Sequence, residues 1–268
     1  MHERGIDGET RIIGMIGDPV AQVRTPRVIN AIFEREGVNI RCVPLHIAAE
    51  DLGAAMTGLK AMRNVIGLGV TLPHKQRIAA HCDSIDPVAR QVGAINVVRR
   101  ERDGGFRGYQ FDGRGFVGGL IAQGHDPRGR DCLIIGAGGA SAAIASALIE
   151  AGASAITIAN RTRARAEALA LQIHAAGSPV AVEAGDGAPK PGQIIVNATS
   201  LGMQADDALP LDPAALDDTM LVAEVVARPE TTRLLEEAAK RGAATHSGIH
   251  MIASQVPLIA AHFMELYR

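Results

Sequence analysis

Runs of apolar, largely β-branched residues alternate with segments of helical periodicity through the first part of the chain. Such alternation predicts strands linked by helices, and so parallel sheets with covered faces. Thr25 suits a helix N-cap and Pro26 the first helical position, and apolar residues then recur at helical spacing. Residues 94–99 and 106–111 flank an Asp103-Gly104 turn and predict a β-hairpin. The predicted strands before the hairpin are 11–16, 40–45 and 65–71, with helices from Thr25 to Gly37 and over about residues 48–62.

The alternation of predicted strands and helices begins again at Asp131. An apolar strand is followed by a glycine-rich turn, an alanine-rich helix and another strand, and the pattern then continues. The predicted strands are 132–135, 155–159, 180–182, 193–197 and 220–226. Two successive runs of this kind predict an N-terminal α/β domain and a second, doubly wound one. A final helix over 249–267 has no strand after it, so it is free to pack on either domain.

Composition narrows the class of protein. The 268 residues include 27 Lys+Arg and 29 Asp+Glu, for a net charge of −2. Neither this balance nor the absence of Trp favours nucleic-acid binding, which needs basic surfaces and stacking platforms. The most apolar stretch, 133–159, is interrupted by Glu150 and is rich in Gly and Ala, which favours strand–helix–strand over a membrane span. We therefore expect a soluble protein that binds neither nucleic acid nor membrane.

The cysteines indicate a reducing compartment. Cys42, Cys82 and Cys132 have no CxxC spacing, which argues against a disulfide framework or a structural zinc site. The charged segment 1–11 lacks the apolar core of a signal peptide, so the expected location is the cytoplasm. His246 and His250 have i,i+4 spacing, but Gly248 lies between them and no third ligand is clear. We expect no metal site.

A glycine-rich segment is the sharpest chemical feature of the sequence. Gly136, Ala137, Gly138, Gly139 and Ala140 follow an apolar strand and open a helix. Glycine allows a tight turn and a close approach of the backbone to a pyrophosphate, whose charge then lies at the helix N-terminus. Ser141 replaces the third glycine of the usual pattern, but strand, turn and helix occur in the required order. The segment predicts a dinucleotide site.

The residues after the next strand favour NADP over NAD. An NAD site usually has Asp or Glu here to bind the ribose 2′-hydroxyl. This chain instead has Asn160, Arg161, Thr162 and Arg163, with Arg165 close by. A guanidinium binds a 2′-phosphate through paired hydrogen bonds. The alternative is a solvated basic helix start.

Three other positions are candidates on chemical grounds. Lys75 follows a strand and lies at its carboxyl edge, although most lysines are solvated surface charges. Asp112 precedes a helix and can cap it. Asn96 lies in an apolar stretch where a buried amide needs a partner. In addition, residues 197–203 end a buried strand, where α/β sheets bind ligands, although a capped loop is the alternative.

The chain as a whole resembles the shikimate dehydrogenase family, nearly from end to end. The matching segments occur in the family's order and spacing, and are 17–20, 70–75, 93–96, 111–113, 136–141, 160–162, 197–200 and 247–255. The resemblance implies a substrate-binding and catalytic domain over 1–112 and a Rossmann NADP-binding domain over 113–246. It further implies that the C-terminal helix, 247–268, packs back on the substrate domain, with the active site in the cleft between the domains.

The resemblance also implies roles for individual residues. Lys75 and Asp112 match the family's catalytic pair, in which the lysine exchanges a proton with the substrate oxygen and the carboxylate orients it. Substrate-contacting positions match Thr25, Thr71, Asn96 and Gln255. Positions that contact the cofactor match Gly136, Ala137, Gly138, Gly139, Ala140, Asn160, Arg161, Thr162, Arg165, Thr199, Val225, Gly248 and Met251.

Several positions depart from the family pattern around the substrate. Val23 replaces the first serine of a Ser-x-Ser segment, Gly69 replaces an Asn, and Gln110-Phe111 replaces Asn-Thr before Asp112. Each lost polar partner of a polyhydroxy acid costs about 1–3 kcal/mol of recognition. On the cofactor side, the family's Asp, Tyr and Gly correspond to Glu224, Ala227 and His250. The pattern predicts retained chemistry and an altered substrate pocket, which Phe111 makes more apolar or gives a different shape.

The sequence therefore predicts an NADP-dependent dehydrogenase that interconverts a small cyclic hydroxy acid and its ketone. The resemblance implies that the substrate pair is shikimate and 3-dehydroshikimate or a close analogue, and we expect a monomer or homodimer. Two alternatives stay open. One is a dehydrogenase for quinate or another ring acid, with possible use of NAD. The other is a redox-inactive ligand sensor, which has no need for Lys75 and Asp112 together.

Overall fold

The computed structural model describes residues 5–267 and divides them into two units. Unit 1 comprises the residues up to Phe111 together with those from Val256 onward, and unit 2 comprises Asp112–Gln255. The division inside the last helix falls between Gln255 and Val256. None of the helices between residues 5 and 267 combines the length and hydropathy that a bilayer-spanning segment requires.

Unit 1 contains a six-stranded mixed sheet with the order β2-β1-β3-β5-β6-β4. Strands β2, β1 and β3 are parallel, whereas β5 pairs antiparallel with both β3 and β6, as the predicted hairpin requires. The sheet is therefore parallel on one side and antiparallel where the predicted hairpin lies. The strands are β1 (Arg11–Gly17), β2 (Ile40–His46), β3 (Val65–Val70), β4 (Ser84–Ile85), β5 (Val97–Arg100) and β6 (Phe106–Tyr109).

The helices of unit 1 show clear start and stop signals. In α3, Asp86 caps the first turn by accepting from Val88 N at 3.0 Å, and Gly93 ends it with φ +71°. The prediction that Thr25 is an N-cap is wrong: Arg24 holds that position and Thr25 is already helical. Pro26 is therefore the second helical residue and not the first; its missing N–H is still one that has no intrahelical partner, and the helix begins without a side-chain cap. The helices are α1 (Thr25–Arg35), α2 (Leu52–Ala61) and α3 (Pro87–Val92), with a 3-10 helix at Arg77–His81.

Unit 2 is a doubly wound domain with a parallel six-stranded sheet of order β12-β11-β10-β7-β8-β9. The strands are β7 (Asp131–Ile135), β8 (Ala155–Ala159), β9 (Ala181–Ala184), β10 (Ile194–Asn197), β11 (Leu221–Glu224) and β12 (Ala244–His246). The helices that lie wholly in unit 2 are α4 (Asp112–Ala122), α5 (Gly139–Glu150), α6 (Arg163–Ala175) and α7 (Arg233–Lys240), with a 3-10 helix at Pro213–Ala215. The last helix, α8 (Ile249–Tyr267), begins in unit 2 and ends in unit 1.

The strand order of unit 2 reverses between β7 and β10. From β7 the chain proceeds outward to β8 and β9, and then returns to add β10, β11 and β12 on the other side. In sheets of this type ligands bind outside the carboxyl ends of the strands at the point of reversal. The glycine segment after β7 and residues 197–203 after β10 both lie at that point.

Candidate functional site

The glycine loop after β7 has a geometry suited to a pyrophosphate. Gly136 has φ +119°, and a Cβ there would lie 3.0 Å from Ser141 Oγ and 3.1 Å from Ala198 O. Gly138 is exposed, and a Cβ there would meet no protein atom within 4 Å. Thus Gly136 is required by the protein itself, whereas the space over Gly138 is open to a ligand. Gly139 begins α5, so the helix N-terminus faces the same loop.

Ser141 explains why the loop tolerates the loss of its third glycine. Its side chain is fully buried, and Gly138 N donates to its hydroxyl oxygen at 3.4 Å. The hydroxyl therefore supports the turn from within the first turn of α5. The serine substitution strengthens the internal structure of the loop without filling the open side over Gly138.

The segment after β8 presents unpaired cations. Arg161 and Arg165 are exposed, and within residues 5–267 neither side chain has an ion-pair or hydrogen-bond partner. Arg163, by contrast, pairs with Glu167 at 2.9 Å. Asn160 Nδ2 donates to Thr162 O at 2.9 Å and shapes the turn that carries these side chains. Exposed guanidinium groups without an ionic partner are chemically suited to bind an anion such as a phosphate.

The loop after β10 lies against the glycine loop. Ala198 N donates to Ile135 O at 2.8 Å, which joins the carboxyl ends of β10 and β7. Thr199 N and Oγ1 both donate to Asn197 Oδ1, at 3.2 and 2.6 Å. The buried carboxylate of Glu224 accepts from Asn197 Nδ2 at 2.8 Å. Burial raises the pKa of Glu224, and hydrogen bonds from Thr232 and Asn197 oppose that rise.

Gly248 and Met251 lie where α8 begins. A Cβ at Gly248 would come within 2.6 Å of Val225 O, so only glycine allows the chain to pass this close to the end of β11. Met251 is buried, and its backbone nitrogen lies 3.1 Å from where a Cβ at Gly119 of α4 would stand. Val225 itself is half-buried. Close packing thus brings Val225 and Gly248 together at the edge that also carries Thr199.

Asp112 is the first residue of α4 and is only 3 % exposed. Gln255 Nε2 donates to Asp112 Oδ1 at 2.8 Å. Two glycines permit this approach, because a Cβ at Gly115 would lie 2.5 Å from Gln255 Cβ and one at Gly118 would lie 2.4 Å from Ser254 Oγ. The structure therefore brings Asp112 and Gln255, a predicted catalytic and a predicted substrate residue, into direct contact.

In unit 1 the candidate residues gather at the carboxyl end of β3. Val70 N donates to Asn96 O, and Ile95 N donates to Lys75 O, both at 2.8 Å. These bonds fix the backbones of Thr71, Lys75 and Asn96 beside one another. Asn96 Oδ1 also accepts from Phe111 N at 2.8 Å, which explains why an amide is buried in this apolar stretch. Thr25, at the start of α1, is half-buried.

The departures from the family pattern are matched by changes in packing. A Cβ at Gly69 would lie 2.4 Å from Met15 Sδ, so the methionine occupies the space of a side chain at that position. The Phe111 ring is 9 % exposed and lies 5.2 Å from the His262 ring, centroid to centroid. Both positions present apolar groups within unit 1.

Three histidines of unit 2, His125, His246 and His250, lie close together. The His246 and His250 rings lie 4.8 Å apart and the His125 and His246 rings 6.0 Å apart. Across residues 5–267, however, no group of three His, Cys, Asp or Glu side chains has the geometry to hold a metal ion. Burial lowers the pKa of His246 to about 4, with smaller contributions from His250 and His125.

The doubly wound unit 2, with its glycine loop at the point of strand reversal, defines a dinucleotide-binding α/β protein. Family models match both halves of the chain: the shikimate dehydrogenase substrate-binding domain over residues 15–98, and shikimate/quinate 5-dehydrogenase over residues 121–201. A shikimate dehydrogenase (NADP⁺) from Rubrobacter xylanophilus is 42% identical over 258 residues, covering 93% of this chain and 89% of the relative. The chain belongs to the shikimate dehydrogenase family.

Solved structures agree with this assignment. A shikimate dehydrogenase in complex with NADP⁺ superposes with a TM-score of 0.88 at 33% identity, covering 98% of this chain and 93% of that one. A 5-ketofructose reductase from Gluconobacter sp. strain CHM43 superposes with a TM-score of 0.84 at 32% identity, covering 96% and 92%. The predicted fold, a substrate domain followed by a Rossmann domain, is confirmed.

Sequence reasoning overlooked Thr232, which is 1 % exposed and joins the network of Glu224. Its hydroxyl donates to Glu224 Oε2 at 2.5 Å and accepts from Leu235 N at 3.3 Å, as an N-cap does. A threonine just before the Leu234-Leu235 pair is a recognisable helix-start signal. Its link to Glu224 is a tertiary contact that has no counterpart in the local sequence.

Proposed function

We propose that this chain is an NADP-dependent oxidoreductase that interconverts a secondary alcohol and a ketone on a small cyclic hydroxy acid. The substrate pair is shikimate and 3-dehydroshikimate or a close analogue. The observation that carries the proposal is the open glycine loop after β7 together with the exposed, unpaired Arg161 and Arg165 after β8. A relative 42% identical over 93% of this chain bears the name shikimate dehydrogenase (NADP⁺).

The cofactor residues divide by the part of NADP that each fits. The pyrophosphate fits the helix N-terminus and open backbone formed by Gly136, Ala137, Gly138, Gly139 and Ala140. The adenosine 2′-phosphate fits the turn formed by Asn160, Arg161, Thr162 and Arg165. Thr199, Val225, Gly248 and Met251 border the same sheet edge and take the nicotinamide half. When bound, the nicotinamide supplies or accepts the hydride.

Lys75 is proposed as the proton-transfer group. In the direction of reduction, its ammonium donates a proton to the substrate oxygen as the hydride reaches the carbonyl carbon, and the alcohol results. In oxidation its neutral amine takes up that proton. Asp112, buried and held by Gln255, supplies the balancing negative charge. Thr71 and Asn96, beside Lys75 at the end of β3, bind substrate hydroxyls together with Thr25 and Gln255.

A neutral polyhydroxy ketone is a second candidate substrate. Met15 fills the space beside Gly69, and Phe111 places an apolar ring directly before Asp112. Neither group binds a carboxylate. The 5-ketofructose reductase, which is 32% identical to this chain, is named for a ketone of this class.

The proposal also includes a cytoplasmic location, where Cys42, Cys82 and Cys132 stay reduced. The proposed assembly is a monomer or homodimer.

The test is a nicotinamide-absorbance assay with NADP and NAD against shikimate, quinate and 5-ketofructose. Shikimate turnover with NADP supports the first candidate, and turnover of 5-ketofructose alone supports the second.

Lys75→Ala is expected to lower kcat by about 10²–10⁴-fold while the Kd for NADP stays unchanged. Lys240→Ala, on the exposed face of α7, is the matched control. Unimpaired turnover by Lys75→Ala would remove Lys75 from the mechanism, and a chain that neither binds NADP nor turns over any substrate would refute the proposal.

A further inference from the structure

Glu224 is a buried carboxylate that the proposed chemistry does not use. It ends β11 and is fully buried in unit 2. Its two oxygens accept from different neighbours, Oε1 from Asn197 Nδ2 at 2.8 Å and Oε2 from Thr232 Oγ1 at 2.5 Å. Within residues 5–267 no cationic side chain pairs with it or shifts its pKa. Burying a carboxylate without a cation costs free energy, and the hydrogen bonds from Asn197 and Thr232 offset only part of that cost. We therefore ask what these hydrogen bonds do for the site.

The carboxylate fixes which way the Asn197 amide points. Asn197 Nδ2 has two hydrogens, and both are used, one by Glu224 Oε1 and one by Leu201 O at 2.9 Å. If the amide were reversed, its oxygen would face two acceptors and its NH₂ group would face the Thr199 N–H. Because Glu224 Oε1 and Leu201 O both act as acceptors, they select the orientation in which Asn197 Oδ1 receives Thr199 N and Oγ1.

That orientation determines the shape of residues 198–201. Thr199 Oγ1 donates to Asn197 and accepts from Leu201 N at 3.1 Å, so side chain and backbone form one closed turn. The turn packs against the glycine loop, since Ala198 O lies 3.1 Å from where a Cβ at Gly136 would stand. A change in the Asn197 amide is therefore transmitted to the wall of the dinucleotide site.

We propose that Glu224 is a positioning residue for the cofactor: by orienting the Asn197 amide it holds residues 198–201 against the glycine loop and sets the affinity for NADP. The inference rests on the proposed function, because it assigns NADP to this site. Thr232 contributes by orienting the carboxylate, and it couples the N-terminus of α7 to the same network through Leu235 N. Glu224 acts on binding and has no part in the proton or hydride transfer.

The experiment compares Glu224→Met with Glu224→Gln. Methionine has similar length but accepts no strong hydrogen bond, so it releases the Asn197 amide. Glutamine keeps the acceptor that orients Asn197, because its oxygen accepts from Asn197 Nδ2, whereas its NH₂ donates to Thr232 Oγ1 and so reverses the native bond at Thr232. Glu224→Met is expected to raise the Kd and KM for NADP about tenfold, the loss of one buried hydrogen bond, while kcat at saturating NADP stays within twofold. In Glu224→Gln, NADP affinity returns to within about threefold of wild type. Glu236→Met on the exposed side of α7 is the control.

The measured NADP affinities decide whether Glu224 positions the cofactor site. Unchanged NADP affinity in a folded Glu224→Met protein overturns the inference, and so does equal loss in the Gln and Met variants. If Glu224→Met does not fold, Thr232→Val carries the test: it leaves the Asn197 bond and is expected to raise the Kd for NADP about threefold, with no change overturning the inference. A wild-type chain that binds no NADP removes the proposed function, and this inference with it.

Discussion

Gly136 and Gly138, in the glycine loop after β7, are glycines for different physical reasons. Gly136 adopts φ +119°, a conformation that other residues rarely enter, and it is enclosed by Ser141 and Ala198. Gly138 has φ −105°, which any residue adopts, and no atom of the protein restricts it. The first glycine thus serves the fold. The second has no such role in the fold and fits the proposed pyrophosphate site, where phosphates would approach the backbone closely.

Alanine substitutions at Gly136 and Gly138 distinguish a role in stability from a role in NADP binding. Gly136→Ala is expected to destabilise the protein by about 1–3 kcal/mol through backbone strain and the clash with Ala198 O. Gly138→Ala is expected to retain its melting temperature but to weaken NADP binding at least about tenfold, because the methyl group enters the space of the pyrophosphate. Thermal unfolding and NADP titration of both variants check this. Tight NADP binding by Gly138→Ala would place the pyrophosphate elsewhere.

Glycines in α4 act at the scale of whole elements. A Cβ at Gly113 would lie 2.1 Å from Ala143 O of α5, and one at Gly119 would lie 2.8 Å from His250 O of α8. The helix can therefore pack closely on α5 and on the start of α8 at once. That packing lies beside Asp112 and brings Gln255 to its carboxylate.

A helical glycine elsewhere provides the matched comparison. Gly58 lies inside α2, is exposed, and has no atom within 4 Å of where a Cβ would stand. Gly58→Ala is expected to stabilise the protein by about 0.5–1 kcal/mol through helix propensity. Gly113→Ala gains the same propensity but must move α5, so a net loss of roughly 1–3 kcal/mol is expected. Urea unfolding of both variants measures the difference, and stabilisation by Gly113→Ala would contradict the close packing.

The accuracy of sequence reasoning varied with the length of the element. The long apolar periodicity of α8 gives its bounds, Ile249–Tyr267, as predicted. Two strands were missed, β4 with two residues and β12 with three, because such short segments carry no periodic signal. The assignment of Thr25 as an N-cap was wrong by one residue, since Arg24 holds the N-cap and Pro26 the second helical position; a helix boundary is the least specific part of a periodic pattern.

At the candidate site, the sequence predicted the loops after β7 and β8 but not the buried hydrogen bonds that hold the neighbouring loop after β10. Glycines after a strand and arginines after the next have local signatures, so their positions at the carboxyl ends of β7 and β8 were predictable. The contacts of Glu224 with Asn197 and Thr232 join three separate elements. No local pattern specifies them, because they depend on the register of β10 and β11.

At the scale of the molecule, each unit contains a histidine whose pKa is strongly lowered: His246, buried in unit 2, and His262, half-buried in unit 1. In unit 2, His246 is 1 % exposed, and in the part of the chain that the structure describes neither ring nitrogen has a hydrogen-bond partner. In unit 1, His262 lies beside Arg99, whose Nη1 is 3.2 Å from Nδ1 of the ring. Burial lowers the pKa of each to about 4, and the Arg99 charge adds to the effect at His262.

These histidines predict a loss of stability on acidification. A folded-state pKa of about 4 lies below the ordinary value of 6.5, so the unfolded chain binds protons first as the pH falls. Stability is therefore greatest above pH 6.5 and declines towards pH 4, by roughly 2 kcal/mol for each histidine between pH 7 and pH 5.

Replacing His246 isolates its share of this decline. His246→Leu has nearly the same volume and leaves no buried imidazole to protonate, so the free energy of unfolding should fall less steeply between pH 7 and pH 5, by roughly 2 kcal/mol. His174→Leu on the exposed face of α6 is the control, and its pH profile should match that of the wild type. Urea unfolding at pH 5, 6 and 7 measures the slopes. If His246→Leu kept the wild-type slope, the imidazole would have to be charged or solvated in the folded protein, and the neutral packing of His246 against Phe116 and His250 would be wrong.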